Sequence, residues 1–245
     1  MAHKCTRSSR VHAVYIAVTV IRRQGSDMGY RQRAIICMAC LMACMAVPAD
    51  TGAPDWQPEM HGWSHLRQVG MTEIYRKPVA DSPFPALLAR TRLPVPAEKV
   101  FRVISDYDHF ADFVPAVNES RVLEKSGAIT RVYQRLGLPM LFADRHYVIQ
   151  VTDIPDAANG LVRVNWRLDA NQTRALSTTE AVLPETFTGF WRLTDIPDGS
   201  GCDAIYSIHV DPGGQIPAWL FSRAAEHYVT DVVAAVRNRL RLNTQ

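Results

Sequence analysis

Four places in this chain hold residue types that could do chemistry, and each stops short of it. Asp106, Asp108 and Asp112 offer carboxylates two and four residues apart. No glycine stands where a calcium-binding loop needs its sharp turn, so they read as a solvated helix end. Cys37, Cys40 and Cys44 have thiol spacings a metal could use, but no histidine or acid nearby completes the set. Pro212-Gly213-Gly214 frees the backbone for a tight turn, yet lacks the lysine and spacing of a phosphate-binding loop. His209 has no second group spaced to orient it. There is no Ser-His-Asp order, no HExxH motif and no pair of catalytic carboxylates. The expectation is no catalytic residue, no metal and no cofactor.

The chemistry that remains is the holding of an apolar molecule. Alternation in Ala204–Val210 puts Ala204, Tyr206, Ile208 and Val210 on one face. That face is apolar apart from one hydroxyl, so it is assigned inward, with Tyr206 offering a hydrogen bond. Arg163, Asn165 and Arg167 mark the solvent side of Leu161–Leu168, which turns Trp166 inward with Val162, Val164 and Leu168. Phe190 and Trp191 face opposite ways, and one of them is expected to be cavity wall. Asp144 and Arg145 also point to opposite faces. A buried Arg145 needs a partner, either structural or in the cavity.

The elements that must position these residues follow from periodicity. Strand-like stretches run over Leu66–Val69, Thr72–Arg76 and Leu87–Leu93. A short helix opens at Pro96, a favoured first helical residue, and ends near Tyr107. Strand patterns then dominate: Arg121–Glu124, Ile129–Leu136, Arg145–Val151, Leu161–Leu168, Phe187–Leu193 and Ala204–Val210. From Ile216 onward a long amphipathic helix sets Ala218, Phe221, Ala225, Val229, Val232, Val233, Val236 and Leu240 on one face. Arg223, His227, Asp231 and Arg237 fall on the other. The small residues Ala218, Ala224 and Ala225 leave room for a ligand or allow close sheet contact. Trp219 and Leu220 stand at the start of this helix, either as gate residues or in ordinary packing.

At these residues the chain resembles a known family. Asp211-Pro212-Gly213-Gly214-Gln215-Ile216-Pro217-Ala218-Trp219-Leu220 is similar to the START-domain signature joining the last strand to the C-terminal helix. Leu138-Pro139 with Asp144-Arg145-His146-Tyr147-Val148, Gly189-Phe190-Trp191-Arg192-Leu193 and Val103–Pro115 resemble three further segments. His146 stands where the family has a second Asp, and Phe113 where it has Trp. The resemblance spans about residues 60–242. It implies an α+β helix-grip fold, a curved antiparallel sheet wrapped around a long C-terminal helix with an internal apolar cavity. It also implies one bound hydrophobic ligand and no cofactor. The candidate cavity residues are then Tyr206, Trp166, Trp191, Arg145, Ile208, Trp219, Phe221, Ala225 and Val229.

Charge divides the chain. The formal +3 of 245 residues is a sum of unlike parts. Residues 1–49 carry seven Lys/Arg and one acid; the rest holds 20 basic and 23 acidic residues. Ala34–Val47 is an apolar run behind a basic start, with Val47-Pro48-Ala49 as a small-residue cleavage site, which describes an export signal. We expect residues 1–27 to be an upstream extension, 28–49 a signal peptide and 50–245 a single domain. The expected location is periplasmic or secreted, with lipidation at Cys44 as the alternative. A composition of 47% hydrophobic residues excludes disorder, and a mildly acidic body argues against nucleic acid.

The functional expectation is an exported, monomeric START-type domain, not an enzyme. It binds a lipid such as a phospholipid, sterol or fatty acyl compound for transfer or sequestration, with transient membrane contact. The alternatives are a cyclase or aromatase on the same scaffold, and a chaperone for a quinone or an envelope protein. Three or more polar groups converging inside the cavity would favour the cyclase.

Overall fold

Alternating side-chain patterns separated by turn residues build the sheet of this protein, seen in a computed structural model. The structure describes residues 60–138, 142–156, 159–176 and 182–242. The export signal, the cleavage site and the cysteine cluster lie outside these residues.

The strands are β1 Ser64–Val69, β2 Thr72–Lys77, β3 Ala86–Leu93, β4 Val117–Ser126, β5 Ile129–Leu136, β6 Arg145–Asp156, β7 Leu161–Leu168, β8 Thr186–Asp195 and β9 Cys202–Asp211. The helices are α1 Ala97–Ile104, α2 Ala170–Leu176 and α3 Ala218–Leu242. All nine strands form one antiparallel sheet in the order β1-β2-β3-β9-β8-β7-β6-β5-β4. After β3 the chain crosses by α1 to the far edge, then meanders back until β9 pairs with β3. The sheet is open, with β1 and β4 as edges, and both carry bulges that disturb their templates for further pairing.

This is the helix-grip architecture expected from the sequence. The inner face meets α3, whose Val229, Val232, Val233, Val236 and Leu240 are buried against it and against α1. Val100 and Ile104 of α1 join the same core. Removing such side chains from water at roughly 25 cal/mol per Å² is the main term holding helix to sheet.

Local outcomes differ from expectation in three ways. The short helix ends at Ile104, and Tyr107–Asp112 forms a separate 3-10 segment. Asp106 and Asp108 are used there: Asp106 pairs with His109 at 2.7 Å, and Asp108 accepts the Val122 N–H at 2.7 Å. Pro96 is the residue before α1, and the Ala97 N–H is satisfied by Asp195 Oδ1 of β8 at 2.7 Å. Third, α2 has no apolar stripe to announce it. Asp169 accepts the Gln172 N–H, and Thr173 Oγ1 accepts the Val148 N–H, so α2 is held by hydrogen bonds to β6.

Candidate ligand cavity

Between the inner sheet face and the first half of α3 lies a cavity of about 300 Å³. The strands β3, β8 and β9 contribute Leu87, Phe187 and Ile208. The helix contributes Phe221, Ala224, Ala225 and Tyr228. Phe84 meets Phe221 edge-on with ring centroids 5.3 Å apart. The turns flanking β4 and β5 add Pro115–Ala116 and Leu136–Leu138. Ala116 adopts a φ of +62°, a left-handed conformation costing about 1–2 kcal/mol for a residue with a Cβ.

A second, smaller void of about 60 Å³ adjoins the first, and Phe187 and Tyr228 line both. Trp166, Trp191, Tyr206 and Gln134 line this deep chamber. The Tyr206 ring lies 4.6 Å from Trp191 and 5.8 Å from Trp166. Gly189 explains how the indole fits, because a Cβ there would stand 2.4 Å from the Trp166 ring and 2.3 Å from the Ser207 carbonyl. The Gly-x-Trp pattern of β8 is thus a packing requirement.

The deep chamber gathers hydroxyls. Tyr147 donates to Gln134 Oε1 at 3.1 Å, and Gln134 Nε2 donates to Ser120 Oγ at 3.2 Å. Burial pushes the phenols of Tyr147, Tyr206 and Tyr228 well above their usual range. For Tyr147 and Tyr206 a neighbouring tyrosine adds to the rise. All three therefore remain protonated donors. Among the described residues no hydrogen bond involves the Tyr206 or Tyr228 hydroxyl, and the buried Trp166 Nε1 is a donor without a partner.

A third hollow of about 740 Å³ lies at the other end of α3, among Met71, Arg92, Pro94, Arg237 and Arg241. It is larger, but it opens on a basic surface and is not enclosed between helix and sheet, so it does not suit an apolar ligand.

The residues singled out from the sequence divide into three groups. Ile208, Phe221 and Ala225 line the outer chamber, and Tyr206, Trp166 and Trp191 the deep one. Val229 is fully buried packing between the helix and the sheet and lines neither void. That assignment is corrected, and two more with it. Arg145 is buried but lines neither chamber, because its guanidinium donates to three carbonyls: Pro212 at 2.6 Å, Ala143 at 2.6 Å and Gly213 at 3.0 Å. Trp219 is 72% exposed and lies on the outside of the first turn of α3.

The Arg145 contacts give two of the sequence motifs one physical meaning. The arginine of the Asp-Arg segment clamps the Pro-Gly-Gly turn that leads into α3. Gly213 is required in that turn: its φ is +62°, and a Cβ would stand 2.3 Å from the Leu183 carbonyl. Asp211 Oδ1 accepts the Gly213 N–H and tightens the turn further. His146, on the opposite face, pairs with the Tyr133 hydroxyl at 2.8 Å.

Sequence reasoning also missed cavity residues. His227 and Asp231 were assigned to the solvent face, yet they line the outer chamber at its exposed rim. Tyr228 was passed over, although it falls seven residues after Phe221 and three after Ala225. That spacing was the available signal. His209 is half-buried, and burial lowers its pKa. Cys202 is buried, and burial with the nearby Asp195 and Asp203 pushes its thiol up to about 12, so it is inert. Among the described residues, no group of three or more His, Cys, Asp or Glu is placed to hold a metal ion, and no helix is long and apolar enough to cross a membrane.

Comparison with known proteins places this geometry. The sequence profile described as "Polyketide cyclase / dehydrase and lipid transport" matches residues 93–237. A STAR-related lipid transfer protein from Xanthomonas axonopodis superposes with a TM-score of 0.66 at 26% identity, over 74% of this chain and 99% of that one. Human StAR-related lipid transfer protein 5 superposes with a TM-score of 0.68 at 12% identity, over 89% of this chain and all of the other. An uncharacterized protein of Pseudomonas aeruginosa is 24% identical over 170 residues, 69% of this chain and 80% of that protein.

Proposed function

Since the chain belongs to the polyketide cyclase/dehydrase and lipid-transport family, with the START helix-grip fold, we propose that it is an exported domain that carries or sequesters one hydrophobic molecule. The observation behind this reading is the apolar cavity of about 300 Å³ between α3 and the sheet. It sits at the lower bound of ordinary ligand pockets, roughly 300 Å³, and suits one alkyl chain or a small ring system better than a two-chain phospholipid. The leader supports export, with Ala34–Val47 as its apolar run. Trp219, exposed two residues before the cavity residue Phe221, supports transient membrane contact by a monomeric carrier.

Gentle purification, organic extraction and mass spectrometry test the reading. A stoichiometric apolar compound is expected. A clean extract, together with no uptake of a neutral fluorescent probe, would sink it.

A cyclase-like enzyme is the second reading, favoured by one observation: Gln134, Tyr206 and Tyr228 converge on the deep chamber with Tyr147 behind them. Phenols can polarise a carbonyl, but enolisation also needs a base, and no His, Asp or Glu lines that chamber. Ring closure of a linear poly-β-ketone in the presence of the protein, followed by absorbance, distinguishes an enzyme from a carrier.

A further inference from the structure

We propose that the molecule held here is electrically neutral and bears an acceptor oxygen, a carbonyl, ester or hydroxyl, seated in the deep chamber against Tyr206 and Tyr228. Its apolar body then fills the outer chamber. This rests on the cavity-binding reading and names the ligand class.

Three observations carry it. First, Tyr206 and Tyr228 line the deep chamber and no hydrogen bond involves either hydroxyl among the described residues, while Tyr147 is already engaged with Gln134 and Trp166 Nε1, in the same lining, is a buried donor without a partner. Tyr206 is only 4% exposed, so bulk water does not serve it freely. A buried hydroxyl without a partner costs about 1–3 kcal/mol, and a ligand oxygen removes that cost. One oxygen has two lone pairs and accepts from both phenols.

Second, no charged side chain lines the deep chamber, and the outer chamber has only His227 and Asp231, at the exposed rim. A phosphate, carboxylate or ammonium pushed inward would be a buried charge with no counter-ion. An uncharged oxygen meets no such barrier. Burial keeps the two phenols protonated, and therefore donors, across the range in which proteins work.

Third, the deep chamber is the smaller of the two, about 60 Å³ against about 300 Å³, so the compact polar end of a ligand suits it and the longer apolar body suits the outer chamber.

The test displaces N-phenyl-1-naphthylamine from the full-length chain with three competitors of similar chain length at pH 8: 2-dodecanone, dodecanoate and dodecyltrimethylammonium. The ketone is expected to displace the probe at a concentration at least tenfold lower than either ion. Tyr206→Phe and Tyr228→Phe should each weaken the ketone about 3- to 10-fold, the worth of one hydrogen bond. Each variant's own probe affinity is measured and used to correct its competition curve, and a circular-dichroism spectrum like that of the wild type shows that it is folded. An ion that competes as well as the ketone overturns the proposal, as does a double variant that binds the ketone like the wild type. Wild-type protein that takes up no probe overturns the cavity-binding reading itself, and this proposal with it.

Discussion

The two halves of α3 are one continuous helix with opposite duties. From Val229 onward, Val229, Val232, Val233, Val236 and Leu240 are buried, and the helix is pressed onto α1 and the sheet. From Ala218 to Tyr228 no residue is fully buried, and Phe221, Ala224, Ala225 and Tyr228 border the void. The difference is one of side-chain volume. Valines at four core positions and Leu240 at the fifth close the gap to the sheet, whereas Ala224 and Ala225 leave it open. The downstream half stabilises the fold, and the upstream half makes room, with its entry held by the Arg145 clamp.

The contrast can be broken by substitution. Val233→Asp should have the largest effect: a carboxylate with no partner enters the core and costs about 4 kcal/mol or more, so little folded protein survives a thermal melt. Arg145→Met comes next. It removes the donor to three carbonyls, and a loss of about 2–4 kcal/mol is expected in urea unfolding, with the entry to α3 loosened. Ala225→Phe should reverse the balance. Its side chain enters existing space, so stability stays within about 1 kcal/mol while probe uptake falls more than tenfold. If Ala225→Phe destabilises as much as Arg145→Met, the upstream half is ordinary core and the contrast fails. Trp219→Ser is the smallest, within about 0.5 kcal/mol in stability. Its expected effect is a slower transfer of probe to lipid vesicles, and an unchanged rate would remove Trp219 from the gate.

Much of the fold was legible because period-two alternation is written into each strand. The β7 pattern of Val162, Val164 and Trp166 inside, with Arg163, Asn165 and Arg167 outside, was read correctly from the sequence. So was the inward face of β9 carrying Tyr206 and Ile208. The helix α2 was not legible, since its reasons are Asp169 and Thr173 hydrogen bonds to its own start and to a neighbouring strand. The site was legible in part. Periodicity identified the inward aromatics, but it treated the α3 stripe as a single face. That is why Val229 was placed in the cavity, while Tyr228, His227 and Asp231 were left out.

By itself the sequence determined the sheet, the long helix, their apolar faces and the family resemblance, because all of these depend on local spacing and short motifs. Only the tertiary structure decided where the empty space lies. A cavity exists where two apolar surfaces fail to meet, and that depends on the distance and rotation of α3 over the sheet. The same holds for Arg145, whose role was set by carbonyls 67 and 68 residues away. It holds as well for Tyr206 and Tyr228, brought to one chamber from β9 and α3 only by the folding of the helix onto the sheet.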